Sequence, residues 1–572
     1  MGIFQFYSWF RKTFPKDIYK VDRSISSELS FTDIDNLLID MNGLFHTSAQ
    51  KVFKYGSFKP HYDIVIRENN QTHQLVFKDI CETLENILIT VNPKRKLILC
   101  VDGPAPMAKQ CQQRKRRYKS SMERKEDDKS FDSNQMTPGT KFMDHLSKYI
   151  DWFIRKRISE NPFWQNIEIV YSPSSVPSEG EQKLLSYIRK FGDKNESYVI
   201  HGLDSDLIML SLLTQYSKFY VLRDDTFDHK NNFLLIDIGS VREKIVDLMK
   251  WEKSEDALFD FKFNNEWAIN DFVFACFLAG NDFLPHIPSI EIIEGGVEVI
   301  IEISKNVGRT HGHITRNKTG NIVFCKSSLK QFLEIVSSSE KELLEQKFRN
   351  RTRYFEDKIL ENSAKYNLSE QKYEIDIEKF RNSYNVEMFK NEEDLEKASY
   401  DYLAGLQWIL KYYTKEVPSW RWYFPYHYAP TASTLVKYID SFEFPRCFKG
   451  VPLTPLQQLL CVLPPKSSKL LPSPLDSLLS TKLKKFNPDD VEIDLSGKKQ
   501  EYMGIVKLPF IDFSVVKKVY DENISKVDYR ELRRNNLGKS SHYIYNSDNP
   551  RIFKSYYGDI ENCMVDVKVI EF

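Results

Sequence analysis

Three short apolar runs in this chain stop on carboxylates, and that pattern limits the folds open to it. Leu37-Leu-Ile ends on Asp40, Leu97-Ile-Leu-Cys-Val ends on Asp102, and Tyr198-Val-Ile-His-Gly-Leu203 runs into Asp204 and Asp206. A buried strand tolerates no unpaired charge, so each acid belongs at a strand end. Segments with helical spacing lie between the runs. Phe77, Ile80, Leu84, Ile87 and Leu88 recur on one face, and a second amphipathic stretch follows Thr140 through Phe142, Leu146, Ile150, Phe153 and Ile154. Ile167–Tyr171 reads as a further strand, followed by a helix from about Glu179 to Phe191. Strands alternating with helices predict an α/β fold with a mainly parallel sheet flanked by helices.

Composition shifts divide the chain. Residues 1–310 carry the α/β pattern, and residues 311–399 are a charged helical linker or insertion read as solvated. Residues 400–572 are aromatic and proline-rich and are expected to pack on the core as a second, mixed region. Bulk charge is uninformative, because 81 basic and 80 acidic residues leave +1. Any affinity for a polyanion must come from local patches. The eight cysteines form no C-x-x-C pair and no zinc-spaced cluster, as expected in a reducing compartment. MGIFQFYSWFRKTFPK has no uninterrupted apolar segment, and Phe6 breaks the myristoylation pattern. No run approaches the roughly 18 apolar residues of a membrane span. A soluble intracellular protein that contacts no membrane is expected, in the cytoplasm with the nucleus as the alternative.

In an open parallel sheet, ligands bind outside the carboxyl ends of the strands. Asp40, Asp102, Asp204 and Asp206 would meet there, and Glu179 and Glu181 of VPSEGEQKLL and Asp282 of LAGNDFLPHIP join them by pattern. Taken singly, Asp40 or Asp102 reads as a turn residue, and Asp282 as a helix-end loop residue. Ser178-Glu-Gly-Glu181 also fits a capping box, which would make Glu181 a helix cap. Their convergence on one edge is what independent turn acids would not produce. Such a cluster holds together with bound cations or raised pKa values. Oxygen-only donors suit magnesium or manganese. Two ions about 3.5–4 Å apart would clamp the attacking and leaving oxygens of a phosphodiester.

Beyond Asp102 lies a basic segment in which Lys109, Gln113, Arg116 and Arg117 share a helical face, suited to holding phosphates. The alternatives are a solvated charged helix or a nuclear-localisation patch. His46, Trp420 and Trp422 read singly as interior residues, and each could also stack on a base.

LLIDMNGLFH, VDGPAPMAKQCQQRKRRY, TPGTKFMDHL, VPSEGEQKLLSYIR, GLDSDLIML, FLAGNDFLPHIP and SWRWYFPYHYAP, in that order, resemble the Xrn family of 5′-to-3′ exoribonucleases. The likeness runs to about Val516. It implies a PIN/FEN-like nuclease core with a second conserved region beside it. It implies metal-site roles for Asp40, Asp102, Glu179, Glu181, Asp204, Asp206 and Asp282. It also implies a 5′-monophosphate pocket at Lys109, Gln113, Arg116 and Arg117, a stacking histidine at His46, and a stacking tryptophan at Trp420 or Trp422. The expected activity is processive, two-metal hydrolysis of 5′-monophosphorylated single-stranded RNA to 5′-mononucleotides by a monomer. A structure-specific flap DNA nuclease and an inert RNA-binding scaffold are the rival readings. Two positions depart from the family pattern: Ser178 stands where glycine is usual, and Ser205 where alanine is. The extended C-terminal parts of larger members have no counterpart here, and the variable region before Tyr400 is short.

Overall fold

Leu37, Leu38 and Ile39 are all fully buried, although successive side chains of a strand face opposite ways. Both faces of their sheet are therefore covered, as in parallel α/β sheets. The computed structural model describes residues 3, 5–21, 33–62, 64–122, 131–225, 233–255, 257, 260–290, 295–446, 448–548, 550–553, 563–565 and 567–571.

The first half runs α1 (Phe6–Thr13), β1 (Ile18–Val21), β2 (Asn36–Asp40), α2 (Met41–Phe53), α3 (Asn70–Val91), β3 (Lys96–Cys100), α4 (Met107–Met122), α5 (Lys141–Glu160) and α6 (Pro162–Gln165). It continues with β4 (Glu168–Ser172), α7 (Gly180–Phe191), β5 (Tyr198–His201), α8 (Asp206–Leu212), β6 (Phe219–Asp224) and β7 (Phe233–Asp237). Local chemistry sets several of these starts. An Asn69/Thr72 capping box opens α3, and Thr140 accepts the Met143 N–H to open α5.

The sheet order is β1-β7-β6-β5-β2-β3-β4, extended beyond β4 by two late strands, Ser541–Tyr545 and Val567–Glu571. The five central strands, β6, β5, β2, β3 and β4, are parallel, and the outer pairings are antiparallel. From β2 the chain builds outward through β3 and β4, then returns to place β5 on the other side of β2. That reversal is a topological switch point, where ligands bind in such sheets. Ile39, Leu97, Leu99 and Ile169 face one core with Phe77, Ile80 and Leu84 of α3 and Leu146 and Ile150 of α5. Leu38, Ile98, Val170 and Ile200 face another core with Leu184 and Ile188 of α7 and with α8.

The charged stretch contains more structure than solvated helices. Helices Lys326–Arg349, Lys358–Ser363 and Ile377–Met388 enclose a hairpin of Ala364–Asn367 and Lys372–Ile375. They bury a cluster of their own that includes Leu344, Phe348, Ile375, Phe380 and Leu395. The heavy charge masked that spacing of apolar residues. The expected boundary at 399/400 falls inside one unbroken helix, Glu392–Thr414. Tyr402, Leu406 and Ile409 of that helix share the core of Leu38 and Ile98. Further on, Leu456, Leu459, Leu475 and Val516 enclose Met107, so the second region grips the start of α4. Among the described residues no helix is long and apolar enough to cross a membrane. Cys81, Cys100, Cys111, Cys276, Cys325 and Cys461 are free thiols.

Candidate active site

The ends of β2, β3 and β5 and the start of α7 bring their acids together. Asp40 caps α2 by accepting the Asn42 N–H at 3.3 Å, and the Asn42 side-chain oxygen accepts the Asp102 N–H at 3.3 Å. Asp102 accepts the Gly180 N–H at 2.7 Å, which docks the first turn of α7 against the strand ends. A Cβ at position 180 would sit 2.6 Å from Asp40 Oδ1, so only glycine allows this approach. One turn later Lys183 donates to the carbonyls of Val101, at 2.6 Å, and Pro173, at 3.0 Å, joining the ends of β3 and β4.

Ser178, before α7, has φ 93, a conformation natural to glycine and strained for serine. Two backbone bonds hold it there: its carbonyl accepts from Gly103 at 2.8 Å, and its N–H donates to Pro104 at 2.9 Å. The capping-box reading of Glu181 fails. The N-cap of α7 is Glu179, with no side-chain cap bond, because the left-handed turn sets Ser178 one residue too early.

Beyond β5, Asp206 opens α8 and accepts the Ile3 N–H at 3.3 Å, while Arg223 donates to the Asp204 carbonyl at 3.2 Å. The Lys109 ammonium, from α4, lies 2.6 Å from Glu179 and 2.7 Å from Asp282. The Tyr412 hydroxyl donates to the second oxygen of Glu179. Among the described residues no three His, Cys, Asp or Glu side chains stand close enough together to ligate one ion as they are placed.

Burial and mutual repulsion dominate the electrostatics. Burial raises Asp40 well above the carboxylate range, with the charges of Asp102 and Asp204 adding to it. Burial also raises Glu179 and Glu181 against the opposing pull of Lys109. Asp206 is pushed up to about 7 by burial and by Asp282. Asp282 stays below the usual range despite burial, because Lys109 lies beside it. This donor set, oxygen-only and deprived of charge balance, is the chemistry a hard divalent cation satisfies.

The basic helix is not a solvated one. Lys109, Gln113, Arg114 and Arg117 are buried. Arg114 donates to the Pro509 carbonyl at 2.8 Å and to that of Phe486, both in the second region. Arg117 donates to Gln113 at 3.1 Å and Thr137 at 2.9 Å. Arg116 is exposed on the surface of α4. His46, on α2, is pushed down to about 4 by burial and by the charges of Arg116 and Arg117, so it is neutral at ordinary pH and beside the basic face. The Trp422 ring stacks on Trp408, 5.1 Å between centroids, and Trp408 stacks on Tyr412 at 4.8 Å. Trp420 is tied through its backbone, its N–H to Lys449 and its carbonyl to Met107.

Residues 1–225 match the family model described as the XRN 5′-3′ exonuclease N-terminus, and residues 262–399 and 377–570 match the Xrn1 helical domain. The chain belongs to the XRN 5′-3′ exonuclease family. Its relatives include the 5′-3′ exoribonuclease 2 homolog of Drosophila melanogaster, 28% identical over 96% of this chain and 74% of that protein. Another is 5′-3′ exoribonuclease 1 of Saccharomyces cerevisiae, 26% identical over 98% of this chain and 46% of that one. Homo sapiens 5′-3′ exoribonuclease 1 is 27% identical, and the match covers 37% of its length. The chain thus spans about three quarters of the fly protein and less than half of the yeast and human ones. A solved structure of the catalytic core of Rad2 in complex with DNA substrate overlaps 53% of this chain and 70% of its own, at 15% identity and a TM-score of 0.29.

Several contacts of this XRN-family site had no signal in the sequence. Tyr412 lies in an aromatic helix where nothing marks one hydroxyl as aimed at Glu179. Lys183 reads as a surface residue of an amphipathic helix, yet it is buried on two carbonyls. Asn42 stands two residues past Asp40, the end of β2, and its bond to Asp102 could have been suspected there.

Proposed function

We propose that the chain is a 5′-to-3′ exoribonuclease that processively hydrolyses 5′-monophosphorylated single-stranded RNA to 5′-mononucleotides, using two divalent cations, magnesium or manganese. The observation that carries this reading is the meeting of α4 with the strand-end acids. Lys109 contacts Glu179 and Asp282 from the helix whose next turns present Gln113, Arg116 and Arg117. The helix proposed to hold the phosphate therefore touches two of the acids directly through Lys109. The family membership and the relatives' names agree with it.

Asp40, Asp102, Glu179, Glu181, Asp204, Asp206 and Asp282 would hold the cations. When bound there, such ions supply Lewis-acid stabilisation of the phosphodiester oxygens and lower the pKa of water. The remaining work falls to the chain's own groups. Arg116, Arg117 and Gln113 receive the terminal monophosphate, with the guanidiniums suited to paired contacts with its oxygens. Neutral His46 offers a flat ring to the leading base without adding a third cation beside the arginines. Trp422 has one face against Trp408, and among the described residues Trp420 stacks on no ring, so either indole can supply the second platform. Lys109 holds Glu179 and Asp282 apart from full repulsion and ties the phosphate face to the acids. Stacking and backbone contacts are indifferent to sequence, so the strand can advance after each cleavage.

A time course on one RNA sequence bearing 5′-monophosphate, hydroxyl, triphosphate or cap, with a flapped DNA beside it, tests the reading. Mononucleotides should appear only from the monophosphorylated RNA, in order from the 5′ end, and chelator should stop their release. Equal rates on hydroxyl ends, internal cuts, or preference for the flap would overturn it.

A further inference from the structure

Glu179 stands at the N-cap of α7, where its side chain caps nothing, and it is 2% exposed. A glutamate side chain has several rotors, so a buried one aims its oxygens only where its neighbours fix them. Lys109 meets one oxygen, but that lysine is shared with Asp282, and an ammonium on a flexible stem is a point charge that sets no direction. The Tyr412 hydroxyl meets the other oxygen as a directional donor carried on a rigid ring.

That ring is held from several sides. Trp408, one helical turn earlier, stacks on it at 4.8 Å with the planes 19° apart, and Trp422 stacks behind Trp408 at 5.1 Å. The Trp408 indole N–H donates to the Ser419 carbonyl at 3.1 Å, and the Ser419 hydroxyl accepts the Trp422 N–H at 3.3 Å. Gly405 makes room for the outer ring, since a Cβ there would lie 2.9 Å from the Trp422 indole. Phe283, the residue after Asp282, packs edge-on against Tyr412 at 5.4 Å. The column Trp422–Trp408–Tyr412 thus ends on one strand-end acid and is flanked by the neighbour of another. Phenylalanine at 412 would fill the same space and keep the ring contacts; the hydroxyl adds the bond to Glu179. A carboxylate that accepts such a bond keeps further lone pairs for a cation, and outer partners of this kind orient ligating carboxylates.

We propose that Tyr412 is a positioning residue for hydrolysis. Its hydroxyl fixes the Glu179 carboxylate in the orientation that receives a divalent cation, and the aromatic column holds the hydroxyl in place. The proposal rests on the exoribonuclease reading, in which Glu179 helps to hold a cation. It gives helix Glu392–Thr414, which lies outside the sheet, a part in the chemistry at the strand ends.

Tyr412→Phe keeps the stack and removes the donor. Manganese binding to the RNA-free full chain, followed by electron paramagnetic resonance, should weaken about 10- to 100-fold, the usual effect of losing such a partner. At manganese levels that saturate the unaltered chain, kcat on 5′-phosphorylated RNA should fall by a similar factor while the KM for RNA holds. Unchanged manganese affinity overturns the proposal, and so does a rise in KM alone. Because even this variant could fail to fold, a second protein carries 3-fluorotyrosine in place of Tyr412, which retains both ring and hydroxyl. Its fluorine resonance should shift when magnesium is added, and Glu179→Gln should abolish that shift. A resonance that ignores magnesium, in protein whose melting temperature magnesium raises, overturns the proposal. If the unaltered chain binds no manganese, the two-cation reading falls and takes the proposal with it; equal affinity in the two proteins sinks the proposal alone.

Discussion

The strand-end carboxylates and the buried arginines of α4, Arg114 and Arg117, are held in opposite ways. Arg114 is clamped by two backbone carbonyls from the second region, and Arg117 by Thr137 and Gln113. The acids face one another, with Lys109 shared between two of them and burial pushing Asp40, Glu179, Glu181 and Asp206 upward. A buried charge supplied with carbonyls strengthens the fold, whereas like charges crowded together weaken it and await a ligand. The two regions should therefore respond differently to removal of a charge.

The largest difference lies in turnover. Asp204→Asn or Asp206→Asn should lower single-turnover hydrolysis by about 10³-fold or more, some 4 kcal/mol of barrier, while binding of RNA in chelator stays within about threefold. Retained turnover at saturating magnesium would remove these acids from the chemistry and break the contrast. Next comes Arg114→Met, which strands the Pro509 and Phe486 carbonyls. It should cost about 2–4 kcal/mol of stability in thermal or urea unfolding, with activity per folded molecule preserved. If stability held and turnover fell instead, Arg114 would be functional where it is here assigned to the fold.

The acid side carries a pH signature of its own. The carboxyl of Asp206 goes from an ordinary value of 3.8 to about 7 on folding, so the folded chain binds the extra proton. The stability tied to that proton is present below pH 3.8 and lost as pH rises to about 7. Metal-free protein should thus lose stability across that window. Asp206→Asn should flatten the profile and gain about 1–3 kcal/mol at pH 8, even as it abolishes turnover. Added magnesium should raise the melting temperature more at pH 8 than at pH 5. A profile identical in the variant would count against the repulsion. The smallest effect belongs to Ser178→Gly, which relieves the φ of 93 and should stabilise the chain by about 1 kcal/mol in urea unfolding. No gain would mean that the bonds to Gly103 and Pro104 already absorb the strain.

The acids and the central strands were legible in the sequence because both depend on local pattern. Leu37-Leu-Ile-Asp40 reads as a strand covered on two faces, and it is one. The helix starts at Thr140 and near Glu179 were legible for the same reason. The partners of the cations were not. Arg114 is bonded to carbonyls about 370 and 395 residues away, and a backbone carbonyl has no residue type to betray it. The hairpin within the charged stretch escaped because charge density hid four-residue strands, and Tyr412 because aromatic residues surround it. Local periodicity reports which face of an element is buried; it does not report what arrives there from far along the chain.

That distance has a consequence for how the sheet is made during synthesis. β4 is an outer strand of the nuclease sheet until Ser541–Tyr545 pairs with it. The covering strand leaves the ribosome about 370 residues after β4, a delay of roughly 20–70 s at ordinary elongation rates. Throughout that interval the nascent chain displays an unpaired row of backbone donors and acceptors beside an apolar strand, open to pairing with any other extended segment. A newly made chain would therefore depend on chaperone cover, or on slow crowding by its neighbours, until its last strands arrive.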